Sequence, residues 1–289
     1  MDDREGESGS PMKYKPHIPN FTLVGQCGQG GSSTVWLAVD RDGIRRAIRI
    51  LDRQIPENRT RIETETQAIA RYRKRVTRHR NLLEILYFGR TEKHLYYVTE
   101  PADNSASGRR DYQPDTLASR IRRGNYSRSE MLNWIESLLD GVEELHACRL
   151  AHRDLKPENI LFLHGRLTIG DPGLCAPIPD PDRGGTPGFH PPWPCQDGKE
   201  IDIYSIGKII YCLYSRKDAA SFPEIPPEIP LRQIAGLNRI ALRCCEKQPE
   251  RRFHSAAEIR RELRMLRILP AWKRGLALLM PAFLSGRTF

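Results

Sequence analysis

The sequence predicts an α+β protein in which a small sheet with one helix is followed by a larger, mainly helical part. Strand-like runs such as STVWLAV, RRAIRIL and HLYYVTE fall between residues 21 and 99. One long polar helix candidate, at about residues 57–78, interrupts them. In the later part of the chain, apolar residues recur three and four positions apart, which is the period of amphipathic helices.

The chain divides into four predicted segments. A polar lead without a signal-like apolar run covers residues 1–18, and the sheet-forming part covers residues 19–101. The helical part covers residues 102–268, and an amphipathic tail covers residues 269–289. A loop rich in Ser, Gly, Arg and Asp, at residues 104–115, marks the boundary between the two main parts.

The helical part carries its own start signal. Ser127 and Glu130 form a predicted capping box ahead of MLNWIESLLDGVEELHAC, whose apolar residues recur three and four positions apart. Further helices are predicted at residues 201–214, 233–245 and 255–267. Residues 171–195 are so rich in proline that they are predicted to be a long loop, and long loops are usually functional.

Composition excludes several classes of protein. With 289 residues, 39% of them hydrophobic, the chain can bury a sizeable core and is not a disordered tail. The net charge of +10 would suit nucleic acid or an anionic membrane, but no nucleic-acid motif accompanies it, and an ordinary basic surface is favoured. Seven cysteines without C-x-x-C spacing argue against a zinc or redox site and favour a reducing, cytoplasmic location.

The apolar stretch near the C-terminus is short. Gly275–Leu284 falls well below the roughly 20 residues that a membrane-spanning helix needs. The tail could instead lie on an anionic membrane surface, or dock on the helical part as a closing helix. Docking is the favoured interpretation.

The strongest single motif is AHRDLKPENILF at residues 151–162, which follows a predicted helix and precedes a strand-like run. It resembles the catalytic loop of protein kinases almost letter for letter. The resemblance implies that Asp154 accepts the proton of the attacking hydroxyl, that Asn159 holds magnesium, and that Lys156 lies against the transferring phosphate. A lysine at this place is typical of serine/threonine kinases, so a serine or threonine hydroxyl is the expected acceptor.

The tripeptide from Asp171 to Gly173 would be an ordinary turn if it stood alone. At its distance from the catalytic loop it resembles the D-F-G motif of kinases, which implies that Asp171 is the second magnesium ligand. Pro172 replaces the usual Phe. The packing of that Phe beneath the helix with the ion-pair glutamate is therefore expected to be missing or rebuilt.

Residues 28–35, GQGGSSTV, fit the G-x-G-x-x-G-x-V pattern with Gly28 and Gly30 in the first two positions and Ser33 in the third. A lone glycine pattern is weak evidence, but here it precedes the other motifs in the expected order. Glycines let the backbone approach the phosphates of ATP closely. The serine is expected to weaken that contact.

The strand at residues 46–51 aligns with the V-A-I-K strand of kinases and places Arg49 where the phosphate-binding lysine is expected. No lysine on a neighbouring strand can replace it. Arginine keeps the charge but has a planar, forked head, so its contacts to phosphate and to its acidic partner must differ. In kinases this exchange commonly impairs catalysis. The predicted partner is Glu65, with Glu63 as the alternative.

The resemblance also implies a site for the adenine base. Its expected residues are Val35 and Ala47 above the base, Leu161 below it, the backbone from Glu100 to Ala102 at its edge, and Thr99 at the back.

The segment Gly185–Trp193 resembles the G-T-P-G-Y-x-A-P-E stretch of kinases but has Trp193 in the place of the glutamate. The usual ion pair with Arg252 is therefore expected to be lost. Thr186 is the only hydroxyl-bearing residue from position 171 to 193, and it is expected to contact Asp154. No phosphorylation switch is expected in this loop.

These motifs run in order from Phe21 to Leu266, and together they imply the bilobal protein-kinase fold, with an antiparallel sheet plus one helix in the small lobe. The implied cofactors are ATP and Mg2+, and the implied partner is a protein substrate or a regulatory protein. Transfer of phosphate to a protein serine or threonine is the leading hypothesis. The alternative is a pseudokinase that works by binding partners, because four motif positions are altered. A small-molecule phosphotransferase is disfavoured, and the oligomeric state is left open.

Overall fold

The computed structural model describes residues 15–30, 33–55, 59–106, 112–179 and 185–268. Most of the predicted lead and all of the predicted C-terminal tail lie outside these ranges. The described residues form the two-lobed α+β architecture that the sequence predicts.

The N-terminal part is a five-stranded antiparallel sheet with the order β1-β2-β3-β5-β4. Its strands are β1 (Phe21–Gly30), β2 (Ser33–Asp40), β3 (Arg45–Asp52), β4 (Ile85–Arg90) and β5 (His94–Thr99). Its single helix, α1 (Arg59–Arg75), lies inside the predicted range of 57–78. These strands are rich in β-branched and aromatic residues, which fit the pleated surface of a sheet.

One face of this sheet buries an apolar core. Its members come from neighbouring strands and include Trp36, Ile48, Tyr96 and Val98. Ile18 joins them with 1% of its surface exposed, and its carbonyl accepts the N–H of Phe21 at 3.2 Å. Ile18, which the sequence placed at the end of the predicted lead, therefore belongs to this apolar core.

The C-terminal part is mainly helical. Its helices are α2 (Leu117–Arg123), α3 (Arg128–Ala147), α4 (Gly198–Ser215), α5 (Leu231–Cys244) and α6 (Ala256–Ile268). Two short antiparallel pairs complete it, namely β6 (Leu150–Ala151) with β9 (Ala176–Pro177), and β7 (Ile160–Leu163) with β8 (Arg166–Ile169). The three later helices lie within three residues of their predicted bounds, whereas α2 was not predicted.

Helix α3 begins as its capping box predicts. The Ser127 hydroxyl accepts the N–H of Glu130 at 3.2 Å, and the Glu130 carboxylate accepts the N–H of Ser127 at 2.8 Å. Two otherwise unpaired backbone groups are thereby satisfied. Among the described helices, none combines the length and the apolar character that crossing a membrane requires.

Helix α4 lies at the centre of the large lobe. Asp197 caps its first turn by accepting the N–H of Lys199 at 2.8 Å, and every residue from Ile201 to Ser215 is buried. A helix that is buried on all sides makes a rigid support for whatever is attached to it. One of its buried residues is Asp202, whose carboxylate binds the backbone of the loop that carries the candidate site.

Candidate active site

The loop after β6 is fixed to α4 through Asp202, whose side chain is fully buried. Its two carboxylate oxygens accept the backbone N–H groups of His152 at 2.9 Å and Arg153 at 2.7 Å. The ring of His146 lies 2.9 Å from the same carboxylate. Hydrogen bonds to a charged acceptor are stronger than neutral ones, so the backbone just before Asp154 is held firmly.

Asp154 lies at the centre of a polar cluster. The Asn159 amide donates to its side-chain carboxylate at 2.9 Å and to its backbone carbonyl at 2.8 Å. Lys156 lies 3.0 Å from the same carboxylate and donates to the Thr186 hydroxyl at 2.7 Å. Thr186 in turn donates to the other carboxylate oxygen of Asp154. The cluster contains the three predicted catalytic-loop residues, and the expected contact from Thr186 is confirmed.

Asp171 lies at the start of the turn that follows β8. Its backbone has a left-handed conformation with φ of 52°. Gly170, the residue before it, is fixed because its carbonyl lies 2.8 Å from the His152 ring. One carboxylate oxygen of Asp171 pairs with Arg49 at 2.8 Å, and the other accepts the Tyr97 hydroxyl at 3.4 Å. Both oxygens of the predicted metal ligand therefore contact the protein itself.

Arg49 bridges two acids. Its guanidinium lies 2.8 Å from Asp171 and 3.6 Å from Glu65, which is 1% exposed. Glu65 is thus the partner, as predicted, whereas Glu63 is exposed. Burial opposes the charge of Arg49, but the surrounding acids outweigh it and raise the pKa of the guanidinium. The arginine is therefore charged, and it connects β3 of the small lobe to the predicted metal ligand Asp171.

Tyr97 was not among the predicted site residues. It is 3% exposed and pairs directly with Arg49 across β3 and β5, which places its hydroxyl next to the ion pairs. Burial, followed by the charge of Asp171, raises the pKa of Tyr97 well above its ordinary value, so the phenol stays a proton donor. The strand register, which the sequence does not give directly, could have identified it.

The turn after Asp171 shows how the missing Phe is replaced. Pro172 begins a 3-10 turn and is buried, with Gly173 directly behind it. A Cβ on Gly173 would lie 3.2 Å from both the Asp171 carboxylate and the Glu65 side chain. Helix α1 therefore packs closely against this turn, and a side chain at position 173 would require Asp171 or Glu65 to shift by a few tenths of an ångström.

A cavity of about 1270 Å³ joins these groups. The predicted residues that line it are Gly28, Val35, Ala47, Arg49, Thr99, Glu100, Ala102, Asp154, Lys156, Asn159, Leu161 and Asp171. Two others, Ser33 and Glu65, do not line it, because Ser33 is 4% exposed and Glu65 lies behind Arg49. Gly30, at the end of β1, pairs with Ser33 at the start of β2.

The boundary loop contributes to the cavity, although the sequence indicated no such role. Tyr112 and Pro114 belong to its wall, and the Tyr112 hydroxyl donates to the carbonyl of Ala102 at 3.0 Å. Thr99, at the back of the base site, donates its hydroxyl to the carbonyl of Glu100 at 3.1 Å. The edge of the predicted base site is thus covered by a residue from outside the motifs.

The segment that ends at Trp193 packs against α4 without the glutamate that the kinase motif has at position 193. Trp193 packs edge-on against Tyr204, with 5.5 Å between the ring centroids. Arg252, which is 2% exposed, has no glutamate at position 193 to pair with, as expected, but it pairs instead with Glu200 in the first turn of α4. The prediction that Arg252 loses its ion pair is therefore wrong, because Glu200 supplies the carboxylate in place of a residue at position 193.

Comparison with known proteins agrees with the resemblance to protein kinases. Residues 21–266 match the family model described as protein kinase domain. The chain is 26% identical over 219 residues to human serine/threonine-protein kinase H1, covering 70% of this chain and 48% of that protein. It is 27% identical over 245 residues to calcium/calmodulin-dependent protein kinase type 1 of Caenorhabditis elegans, covering 77% and 65%.

A similar match is found to a probable serine/threonine-protein kinase, fhkD, of Dictyostelium discoideum, at 26% identity over 232 residues. It covers 70% of this chain and 29% of that protein. The chain thus spans between about a third and two-thirds of the length of these relatives. The family match covers the small sheet, the catalytic loop and α4 through α6, and the chain belongs to the protein kinase family.

Proposed function

We propose that this protein kinase transfers the terminal phosphate of Mg-ATP to a serine or threonine hydroxyl of a protein. The observation that supports this most directly is the Asp154 carboxylate, which is held by Lys156, Asn159 and Thr186 at the wall of a large cavity. A carboxylate oriented in this way can accept the proton of an attacking hydroxyl. The position of Asp154 is fixed independently by the backbone bonds to Asp202.

The reaction assigned to the cluster is a direct transfer. The acceptor oxygen forms a bond to the terminal phosphorus, and the bond from that phosphorus to the bridging oxygen breaks, which releases ADP. The hydroxyl proton moves to Asp154. Lys156, 3.0 Å from Asp154, supplies positive charge next to the transferring group, where charge stabilisation is most effective.

Asp171 and Asn159 would hold the magnesium ion. The Asn159 amide nitrogen already donates to Asp154, so the amide oxygen is the atom left for a metal. Carboxylate and amide oxygens are hard ligands that suit Mg2+, which is usually held by few protein groups together with substrate phosphates. When bound, the ion would neutralise phosphate charge and orient the terminal group.

Arg49 is the reason to expect reduced activity. Its 2.8 Å contact with Asp171 must be weakened when that carboxylate binds a metal, because both cations use the same carboxylate. The same contact favours the second candidate function, a pseudokinase that binds a partner without transferring phosphate. In that case the Arg49–Asp171 pair is a permanent substitute for the metal.

The test is transfer of labelled terminal phosphate from Mg-ATP to a generic basic protein. The native chain is compared with Asp154→Asn, with Arg49→Lys and with Asp42→Asn, which makes the same chemical change in an exposed turn. Transfer that survives in Asp42→Asn and is lost in Asp154→Asn supports the kinase. Absence of transfer in every chain, including Arg49→Lys, would establish the pseudokinase instead.

A further inference from the structure

A second cavity, of about 1000 Å³, lies in the large lobe away from the adenine site. It is enclosed by the start of α3, the end of α4, the start of α5 and the end of α6. Its apolar lining comes from all four helices and the loop before α5, through Met131, Leu213, Ile229, Ile234 and Leu266. The catalytic groups described above make no contribution to it, so its chemistry must be considered separately.

The charge on its walls is strongly one-sided. Among the described residues of its lining, four are cationic, namely Arg128, Arg216, Lys217 and Arg232, and one, Glu228, is acidic. Arg128 donates to the carbonyl of Gln233 at 2.6 Å, which fixes it across the start of α5. A concave surface with one sign of charge raises the local concentration of ligands with the opposite sign.

Arg216 stands at a position where arginine is unusual. It follows the last residue of α4 with φ of 58°, the left-handed conformation that glycine usually supplies at helix ends. A non-glycine residue there carries backbone strain. Its guanidinium lies 5.4 Å from the centre of the Tyr126 ring, on the wall of the cavity. The strain is consistent with a use for this particular side chain.

The start of α5 adds positive charge to the same cavity. Pro230 precedes the helix without a side-chain cap, the first turn contains no acid, and Arg232 lies within it. A helix N-terminus carries a partial positive charge and normally attracts acidic residues. Here the protein places a further cation, Arg232, at that end, and the acid that lines the cavity nearby, Glu228, is outnumbered by the cations.

The cavity approaches the active-site cavity at one residue. Lys217 lines both, and its neighbours Asp218, Ala219 and Ala220 line the active-site cavity alongside Gly188 and Phe189. A substrate segment held in the second cavity would therefore lie next to the part of the protein that borders the active-site cavity.

We propose that this second cavity is a docking groove for an acidic segment of the protein substrate, in which glutamate or aspartate side chains face the cations and interspersed leucine-like side chains face the apolar lining. The proposal rests on the proposed phosphate transfer and specifies which substrates it selects. A volume of about 1000 Å³ is at the upper end of the range typical for ligand sites, which suits a peptide segment.

The test uses a fluorescein-labelled peptide of alternating glutamate and leucine, with a peptide of lysine and leucine as its counterpart. Binding is measured by fluorescence anisotropy to the Asp154→Asn chain, so that the outcome is independent of catalysis. The test variant carries Arg216→Gly, which relieves the left-handed strain, together with Arg232→Glu on the exposed rim. Arg90→Glu, an exposed charge reversal on β4, is the control for reversing a surface arginine away from the cavity.

The acidic peptide is expected to bind the parent chain and the Arg90→Glu control alike, and at least about fivefold more weakly to the double variant. Binding should also weaken as salt is added, and the lysine peptide should not bind. Equal binding to parent and double variant would overturn the proposal. Loss of binding to anionic phospholipid vesicles in the double variant, with no peptide binding to any chain, would also overturn it and assign the groove to a membrane surface.

A kinetic readout separates docking from support of the fold. A serine peptide linked to the acidic segment should show a raised KM and an unchanged kcat in the double variant, while an unlinked serine peptide shows neither change. Equal effects on both peptides would contradict docking. Absence of transfer in the parent chain refutes the kinase but leaves the anisotropy result to be judged by itself.

Discussion

The guanidinium of Arg49 lies 2.8 Å from the carboxylate of Asp171, closer than the 3.6 Å that separates it from Glu65. The arginine thus contacts the predicted metal ligand more closely than it contacts its partner on α1. Lysine at this position would present a single compact charge, whereas the forked guanidinium can engage both acids at once. The altered motif therefore ties the predicted magnesium ligand directly to the small lobe.

Replacing Arg49 with lysine is expected to increase phosphate transfer. The change weakens a charge-assisted contact of about 1.5–3 kcal/mol that competes with the metal, which corresponds to roughly a tenfold or greater gain. The measurement is the rate of transfer as a function of magnesium concentration. The gain should be largest when magnesium is scarce.

The control for that experiment is Arg46→Lys on the same strand. Arg46 lies 3.0 Å from Asp40 and makes its ion pair there, and not with the predicted metal ligand Asp171. Arg46→Lys should leave the magnesium dependence unchanged. If Arg49→Lys lowers the rate or has no more effect than Arg46→Lys, the competition between arginine and metal is not what limits this enzyme.

Replacing Glu200 with glutamine is expected to destabilise the large lobe. Arg252 is 2% exposed, so loss of the carboxylate leaves a nearly buried charge without its acidic partner, although the partial exposure of Glu200 moderates the cost. We expect the free energy of unfolding to fall by about 1–3 kcal/mol in urea titrations. Glu250→Gln, on the exposed turn just before Arg252, should cost less than about 0.5 kcal/mol. An equal decrease in the free energy of unfolding in the two variants would show that the ion pair of Glu200 with Arg252 contributes nothing to stability.

The ion pairs of Asp140 should make stability depend on pH. Burial opposes ionisation of this residue, but hydrogen bonds from Arg80 at 3.2 Å and Arg260 at 3.1 Å outweigh it and lower the pKa of Asp140. A lowered pKa contributes stability above the unfolded value of about 4, and that stability is lost as pH falls through the folded value. Asp140→Asn should therefore destabilise the protein at neutral pH and have a smaller effect in acid.

The stability of Asp140→Asn and that of the native chain are compared by thermal unfolding from acid to neutral pH. Asp42→Asn is the control for the chemical change. A difference between Asp140→Asn and the native chain that stays constant with pH would show that packing, and not charge, is the contribution of this residue.

Cys27 should be a slow nucleophile even though it lines the active-site cavity. Burial raises the pKa of the Cys27 thiol to about 11, against the partial opposition of backbone hydrogen bonds. Only the thiolate reacts with alkylating agents, so its rate with iodoacetamide should keep rising with pH beyond about 9. Mass spectrometry of the folded chain, with the urea-unfolded chain as reference, measures this. A plateau near pH 8.5 in the folded state would contradict the predicted protection.

Motifs with fixed spacing predicted the parts of the site that are local in sequence. The catalytic loop brought Asp154, Lys156 and Asn159 together because they lie within six residues on one short segment, and the capping box at Ser127 placed the start of α3. Glu65 was chosen over Glu63 by spacing alone, and its burial agrees with that choice.

The parts that the sequence did not predict depend on tertiary placement. Tyr97 reaches Asp171 only because β3 and β5 pair in a particular register, which is decided by packing of the whole sheet. Glu200 and Arg252 lie 52 positions apart, and nothing in their local sequence indicates that one would serve the other. The position of Tyr112 could not be predicted either, because its loop has no apolar periodicity that would indicate which residues face the protein.

The attachment of the catalytic loop to Asp202 has a consequence for how long that loop stays formed. Its backbone bonds run to a fully buried side chain on the central helix, so they break only when the core of the large lobe opens. The amide protons of His152 and Arg153 should therefore be among the slowest in the protein to exchange with solvent deuterium. The base would then remain in place through fluctuations that release the small lobe, and the lifetime of the competent site would be set by Arg49 and its partners.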